Sequence, residues 1–495
     1  MDNLQIFKKL LTVIKDNEYI SSKEMGIIDN NCEYYGISKK LLMENAGKSI
    51  CDEVLRYLDD LNSNIIYLFA GLGNNGGDGF VFIRHILHHL KKDDRVKVIL
   101  LGKSENIKTE ESKSNFNIIK NISNYDDKLT IVEVACRDEI LKILENIRKD
   151  NSNKIIVDGI LGTGIRGDLR EPIKTVVDKL NNLKNEEDIK IISIDLETKG
   201  LKSDLIITFH KNKEDNKGKN TVIKNIGIPP IMEHLVGYGD LKYLKGIEDK
   251  YKGKNGKILI IGGSTDYFGA PILSALSSSK IIDIVNVMSF KNTIDALKNY
   301  PNLIGHKLEG DYLTTSHLEE AIQISKNVDV VVVGCGIGLK DETKDFINEY
   351  LSEMDKLNKK LVIDADAIKL IDYDSVKFRE YIIFTPHRRE YEYMNIDFNN
   401  LPPSTIVLKG KVDVIFNKYN VKINTTGNCG MTKGGTGDVL CGLIGAIFCK
   451  NEPFISGCAG AFINGYSGDL LYKEVGPYYD AIDLVYKIPK VLNIR

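Results

Sequence analysis

The sequence predicts an α/β protein of two successive domains, and three observations carry that expectation. Apolar runs of strand length, each ending near a glycine or an acid, alternate with helical stretches in both halves, the pattern of parallel sheets covered by helices. At 495 residues and 42% hydrophobic content the chain can bury substantial cores but exceeds one ordinary domain. A polar passage, Lys211-Asn-Lys-Glu-Asp-Asn-Lys-Gly-Lys219, followed by Ile226-Gly-Ile-Pro-Pro230, interrupts the alternation. We place the boundary near Tyr238, giving expected domains 1–238 and 239–495.

In chain order, Met1 to Lys15 spaces apolar and charged residues as a helix does. The first strand series is Ile65 to Ala70, Val96 to Leu101, Ile155 to Asp158, Ile191 to Asp195 and Asp204 to Phe209. The second begins at Lys257 and continues through Val328 to Val333, Lys360 to Asp364, Tyr381 to Phe384 and Thr405 to Lys409. No apolar run reaches membrane-spanning length. With 67 basic and 69 acidic residues the net charge is −2, so attraction to nucleic acid or a membrane surface has no electrostatic basis. Small-molecule partners are expected. The 8 cysteines are scattered without a CxxC pair, which fits a reducing, cytoplasmic setting better than a disulfide framework or a zinc site. His85 and His89 share a helix face near His88, but no matching ligand set accompanies them.

Gly71-Leu-Gly-Asn-Asn-Gly-Gly-Asp-Gly79 follows the first strand and satisfies GxGxxG at 71, 73 and 76, which would set a phosphate against the next helix. A second loop, Asp158-Gly-Ile-Leu-Gly-Thr-Gly-Ile-Arg-Gly-Asp168, would reach the same carboxyl-end crevice if the two strands are parallel neighbours. This half reads as a Rossmann-like three-layer α/β/α domain. The second strand ends Val98-Ile-Leu-Leu-Gly-Lys103, without the acid of an ordinary NAD dehydrogenase. Asn75 and Asp158 offer hard oxygens for a monovalent cation, and Asp195 sits at another strand end. For Asp158 a catalytic role and a cap or turn role both stand open.

In the second half, Asn424-Thr-Thr-Gly-Asn-Cys-Gly-Met-Thr-Lys-Gly-Gly-Thr-Gly-Asp438 leads into the apolar run Val439 to Phe448. The glycines let backbone N–H groups turn around an anion, and a helix starting near Thr436 points its positive end there. Asp438, in that first turn, would repel a resting phosphate, so it suggests a proton acceptor for an attacking hydroxyl. A glycine-rich turn capped by an acid is the alternative. Asp364 and Asp366 could bind magnesium through water or satisfy loop N–H groups. His387 could cap a helix.

Several of these stretches resemble known families. Glu24-Met25 with Asp29, Leu42-Met-Glu-Asn-Ala-Gly47, the Gly71 loop and Asp158 to Gly164 are similar to the NAD(P)H-hydrate epimerase domain over about residues 20 to 210. That resemblance implies interconversion of the R and S hydrates of NADH or NADPH. Asn74, Asn75, Gly76, Gly77 and Asp78 would surround the substrate, with Gly162, Thr163, Gly164, Ile165, Arg166, Gly167 and Asp168 opposite and Asp195 as a further contact. Potassium would lie on Asn75, Asp158 and Thr198, the last standing where the family has a serine. The stretch Asp195-Leu-Glu-Thr-Lys-Gly200 is shorter than the family's Asp-Ile-Pro-Ser-Gly loop with its adjoining segment.

From residue 245 on, Tyr251-Lys-Gly-Lys-Asn-Gly256, Gly262-Gly-Ser with Tyr267-Phe-Gly-Ala-Pro271, Gly334-Cys-Gly-Ile-Gly338, Asp364-Ala-Asp-Ala367, Thr385-Pro-His387 with Glu390, Val407-Leu-Lys-Gly410 and the glycine tract occur in the order of the nucleotide-dependent NAD(P)H-hydrate dehydratases of the ribokinase-like superfamily. The two halves together resemble the fused hydrate repair enzymes. The resemblance implies that Lys409, Gly410, Lys411, Val412 and Asp413 contact adenine nucleotide, ADP or ATP with Mg2+, together with Asn428, Gly434, Gly435, Thr436 and Gly437. Ala270, Gly338, His387 and Asp438 would contact the hydrate. Two departures stand out: Lys280-Ile-Ile-Asp-Ile284 replaces an Arg-x-Gly-Ala-Gly segment, and Cys335 replaces a proline. A homo-oligomer is expected. A kinase of a small alcohol and a non-catalytic nucleotide-binding scaffold are the rival readings, and an acid facing phosphate argues against the scaffold.

Overall fold

The structure is a computed structural model that describes residues 1–162, 167–246 and 251–494. It divides into two compact units, Asn17–Met232 and Met1–Asp16 with Glu233–Arg495. Thr163, Gly164, Ile165 and Arg166, expected around the first substrate, lie outside the described residues.

Among the described residues, the Asn17–Met232 unit has a seven-stranded sheet. Its strands are β1 (Asn64–Ala70), β2 (Arg95–Leu101), β3 (Leu129–Val134), β4 (Asn153–Gly159), β5 (Ile189–Ile194), β6 (Leu205–Phe209) and β7 (Thr221–Lys224), in the order β3-β2-β1-β4-β5-β6-β7. Every pairing is parallel. β1 and β6 are buried along their whole length, as strands covered on both faces by helices must be. The order reverses between β1 and β4, where Phe69 pairs with Asp158 and Ala70 with Gly159. Such a switch point opens a crevice at the carboxyl ends of the two strands, and both glycine loops leave from there.

The other unit has a nine-stranded sheet among its described residues. It comprises β8 (Lys257–Ile261), β9 (Ile284–Ser289), β10 (Ile304–Lys307), β11 (Val330–Val333), β12 (Lys360–Ile363), β13 (Ile382–Phe384), β14 (Thr405–Leu408), β15 (Asp413–Phe416) and β16 (Val421–Asn424). The order is β10-β9-β8-β11-β12-β13-β14-β15-β16, parallel through β14 and antiparallel at the last two pairings. The helix Thr436–Phe448, buried from Val439 to its end, packs against Ala270–Ser278 and Pro453–Val475. The expected pair of α/β domains is thus what the chain forms.

The domain limits differ from the expected 1–238 and 239–495. Asp2 caps the helix Asn3–Val13 in a reciprocal box with Gln5. That helix buries Ile6, Phe7 and Leu10 in the same core as Leu408, Val414, Phe416 and Ile423. The first sixteen residues therefore belong with the C-terminal unit, because their apolar stripe finds its partner on β14 to β16. Residues 233–238 belong there as well, with Tyr238 opening the short helix Tyr238–Lys242.

Candidate functional site

In the Asn17–Met232 unit the two glycine loops touch. The Gly71 N–H donates to the Gly159 carbonyl at 2.9 Å, and a Cβ at Gly71 would meet the Ile160 carbonyl oxygen at 1.8 Å, so only glycine fits. Asn75, one residue into the helix Asn74–Ile86, donates through Nδ2 to the carbonyls of Ile194 (2.8 Å) and Leu161 (3.2 Å). Its Oδ1 accepts no hydrogen bond among the described residues and lies over Gly162.

Asp158, 1% exposed, accepts from the Ser193 hydroxyl (2.7 Å), the Thr198 hydroxyl (2.7 Å), the Thr198 N–H (3.0 Å) and the Ile160 N–H (3.2 Å). Burial raises its proton affinity and these donors pull it back down. Both oxygens are engaged inside the protein, so the cap-and-turn reading fits this carboxylate better than a proton-transferring one. Asn75 Oδ1, the Asp158 carboxylate and Thr198 Oγ1 are hard oxygens in one buried neighbourhood, a donor set suited to a potassium ion.

Asp195 directly follows β5 in a left-handed conformation (φ 63°) that few non-glycine residues adopt. Its Oδ1 meets the Lys213 ammonium at 2.7 Å and the Thr208 hydroxyl at 3.0 Å. Lys213, 1% exposed, also donates to the Phe209 carbonyl at 2.7 Å. Asp78 is buried, 9% exposed, and its proton affinity is driven well up by burial and then by Asp195 and Asp29. Burial likewise pushes Asp29 up to about 6, against the pull of Lys213. Asn74 accepts from the Thr109 hydroxyl at 2.9 Å. Asp168 is fully exposed, 3.6 Å from Lys199, whose ammonium also donates to the Gly167 carbonyl at 3.1 Å. Asn74 to Asp78, Gly162 and Asp195 thus gather at the sheet's carboxyl end, whereas Asp168 points to solvent. Nothing in the sequence singled out Lys213 or Thr208, because a buried lysine on a two-residue strand has no periodic signature.

In the other unit, Asp438 lies in the first turn of Thr436–Phe448, behind Gly435 at φ 92°. Burial, reinforced by Asp364 and opposed by Lys409, pushes its carboxyl up to about 6. Lys409 pairs with Asp364 Oδ1 at 2.8 Å, and the Thr385 hydroxyl donates to the same oxygen at 2.8 Å. The ammonium lies 3.4 Å from the position a Gly437 Cβ would take, at the mouth of the glycine cradle. Nothing stands within 4 Å of the corresponding point at Gly434 or Gly338, so both face open space. Asp366 Oδ2 accepts the Gly338 N–H at 3.1 Å while its Oδ1 pairs with Lys369 at 2.9 Å. Asp364 Oδ2 accepts no hydrogen bond among the described residues, leaving a hard oxygen suited to magnesium through water.

Ala270 opens the helix Ala270–Ser278, whose Ser274 hydroxyl donates to the Asp438 carbonyl at 2.8 Å. His387 caps the helix Arg388–Tyr393 by accepting the Glu390 N–H at 3.2 Å, while half of its side chain stays exposed. The loop Lys409 to Asp413 joins β14 to β15. The Gly410 N–H donates to Asp413 Oδ1 at 3.0 Å, burial pushes Asp413 up to about 6, and Lys411 is exposed. Asn3 closes the loop from outside, donating to the carbonyls of Val412 (2.8 Å) and Leu408 (3.3 Å). Asn428 is occupied internally: its Nδ2 donates to Asp469 and its Oδ1 accepts from Tyr479 and the Gly430 N–H. Among the described residues, the one cluster of three metal-capable side chains is Cys335, Asp364 and Cys441, and His85 instead meets Glu44 at 2.8 Å.

A family model described as YjeF-related protein N-terminus matches residues 39–204, and one described as NAD(P)H-hydrate dehydratase matches residues 258–490. The chain is 51% identical to the bifunctional NAD(P)H-hydrate repair enzyme Nnr of Methanocaldococcus jannaschii, across 100% of this chain and 97% of that one. It is 37% identical to the Archaeoglobus fulgidus enzyme of the same name, across 96% and 98%. Among solved structures, a ribokinase-like superfamily protein from Enterococcus faecalis shares 24% identity over 53% of this chain and 95% of that one, with a TM-score of 0.46.

Proposed function

Because this chain belongs to the bifunctional NAD(P)H-hydrate repair enzymes, we propose that Asn17–Met232 interconverts the R and S hydrates and that the other unit dehydrates the S hydrate with ADP, Asp438 acting as base. The observation that carries the assignment of the base is the placement of Asp438: a carboxyl held near 6 in the first turn of a helix, beside Lys409 and behind Gly434 to Gly437.

The chemistry is dictated by the substrate. A hydroxyl on ring carbon 6 is a poor leaving group, and phosphorylating it lets the ring nitrogen expel it as phosphate. Asp438 accepts the hydroxyl proton as that oxygen attacks the terminal phosphorus of the nucleotide. A carboxyl with a pKa near 6 is ionised at neutral pH yet basic enough to help. N–H groups of the Gly434–Gly437 turn and the positive end of the helix stabilise charge on the moving phosphoryl. Lys409 pairs with Asp364 and adds its own positive charge at the cradle. Magnesium bound with the nucleotide would neutralise phosphate charge, with Asp364 and Asp366 holding it through water. Potassium would be held by Asn75, Asp158 and Thr198 in the epimerase half. His387, Ala270 and Gly338 border the space for the hydrate. The nucleotide loop is Lys409 to Asp413, with Asn428 shaping the turn.

Purified protein given the S hydrate of NADH, ADP and magnesium is expected to restore the dihydronicotinamide absorbance, and ADP is expected to outperform ATP. A stable phosphorylated product without recovery would instead indicate a small-alcohol kinase. Bound nucleotide without any turnover would indicate a scaffold. The same reading takes hydrated NADH or NADPH and adenine nucleotide as the partners of a cytoplasmic homo-oligomer. The near-zero net charge and the free cysteines support small-molecule partners and a reducing setting. Sedimentation measures the oligomer.

A further inference from the structure

Three acids and one lysine converge from four separate elements of the epimerase half. Asp29 comes from the helix Ser22–Tyr34, Asp78 from Asn74–Ile86, Asp195 from the end of β5, and Lys213 from the short strand Asn212–Lys213. His210 and Lys39 act on Asp29 from the edge of the group. Asp195 is clamped: both of its side-chain donors, Lys213 and Thr208, reach Oδ1, and the Asn216 amide donates to its carbonyl at 3.0 Å. Oδ2 has no partner among the described residues, and the side chain keeps 15% exposure. Asp78 is the opposite case. It is nine-tenths buried, and its carboxyl makes no hydrogen bond among the described residues. Asn216 Oδ1, buried against Asp195, is likewise without a partner among them. Buried polar atoms left unpaired are costly, and they are expected where a ligand supplies the missing bond.

We propose that Asp195 is the base and Asp78 the acid of epimerisation, with Lys213 as the positioning residue that holds Asp195 in place. This rests on the epimerase reading of the half that contains them. Two carboxyls whose surroundings treat them differently divide acid and base work between them. Burial among other acids keeps the proton on Asp78, while Lys213 and Thr208 both hold Asp195 through Oδ1 and leave Oδ2 turned away from them.

The hydrated ring carbon 6 carries both a hydroxyl and the ring nitrogen, so it is a hemiaminal. Asp195 Oδ2 takes the hydroxyl proton, and the O–H pair becomes the C=O bond as the C6–N1 bond breaks. N1 keeps that pair and receives the proton of Asp78, giving an open aldehyde with a neutral enamine. Rotation about C5–C6 presents the other face of the aldehyde. N1 then attacks it, its proton returns to Asp78, and Asp195 gives its proton back to the oxygen. No electrons are gained or lost overall.

The test uses the full chain, the R hydrate of NADH alone, and chromatographic separation of R from S, measured above the uncatalysed rate. Asp195→Asn and Asp78→Asn are each expected to lose about 100-fold or more of epimerisation. Dehydration of supplied S hydrate should be unchanged, which also reports folding of the other half. Lys213→Met is expected to lower kcat with little change in KM, and Lys213→Arg to restore much of it. The wild-type rate should fall as rising pH takes the proton from Asp78, and Asp78→Asn should lose that limb. Full activity in either aspartate variant, or a wild-type profile with no falling limb as pH rises, overturns the proposal. Should a variant misfold by circular dichroism, the wild-type profile decides alone. A wild-type protein unable to epimerise at all would instead remove the epimerase reading itself.

Discussion

Asp438 sits between two neighbours of opposite sign, with Asp364 raising its proton affinity and Lys409 lowering it, on top of burial. As the proposed base, Asp438 must be ionised to work, so dehydration is expected to decline as pH falls through about 6. Lys409→Met removes the opposing positive charge and should move that limb to higher pH, measured as kcat at saturating nucleotide. A limb that stays put would separate Lys409 from the base. Asp438→Asn should bind both ligands and lose about 100-fold or more of turnover. Stability should move the other way. The folded carboxyl lies near 6 against an ordinary value of 3.8, so the folded state binds the proton more tightly than the unfolded chain. The cost of ionising it in the fold is absent below the unfolded value, grows between the two values and is fully present above about 6. Asp438→Asn is therefore expected to be more stable than wild type at pH 8, by on the order of 1–3 kcal/mol, and equal to it below about pH 4. Melting temperatures at the two pH values check this.

The helix Thr436–Phe448 joins the cradle to the core. Its apolar run was readable because it is buried on all sides, yet what fixes its height beneath the cradle is one close approach. A Cβ at Gly442 would stand 2.1 Å from the Ser274 carbonyl oxygen, which the helix Ala270–Ser278 cannot withdraw. Gly442→Ala should cost about 1–3 kcal/mol in denaturant titrations and, by tilting the first turn, slow dehydration more than it weakens nucleotide binding. The strands β3, β7, β9, β10, β15 and β16 have no counterpart in the sequence-based strand series. The edge strands β3, β7 and β10 are mostly half-buried or exposed, Asn286 interrupts β9 and Lys422 interrupts β16, and the apolar run of β15 is only Val414 to Phe416, so none offers a long continuous apolar run.

At the scale of the molecule, the first sixteen residues serve a unit whose remainder begins more than two hundred residues later. Deleting residues 1–16 removes Ile6, Phe7 and Leu10 from the core and Asn3 from the Lys409–Asp413 loop. Burial of three such side chains is worth several kcal/mol, roughly 2 each. The deletion should therefore lower dehydratase activity and its thermal midpoint while R-to-S epimerisation persists; equal loss of both activities would contradict the assignment. The alternation of strands and helices, the two glycine loops and the Asp438 tract were all legible in the chain, since each is a local pattern of side-chain period or backbone freedom. The chain alone therefore determined two α/β halves, the switch-point crevice and the helix that carries Asp438. Only the tertiary structure decided that Asp158 accepts four hydrogen bonds from Ser193, Thr198 and Ile160, that Asn428 is used internally, that Lys213 clamps Asp195, and that the N-terminal helix belongs with the far end of the chain. Those are matters of which distant groups share one buried space, where each donor can satisfy only the acceptor it reaches, and no local pattern encodes that.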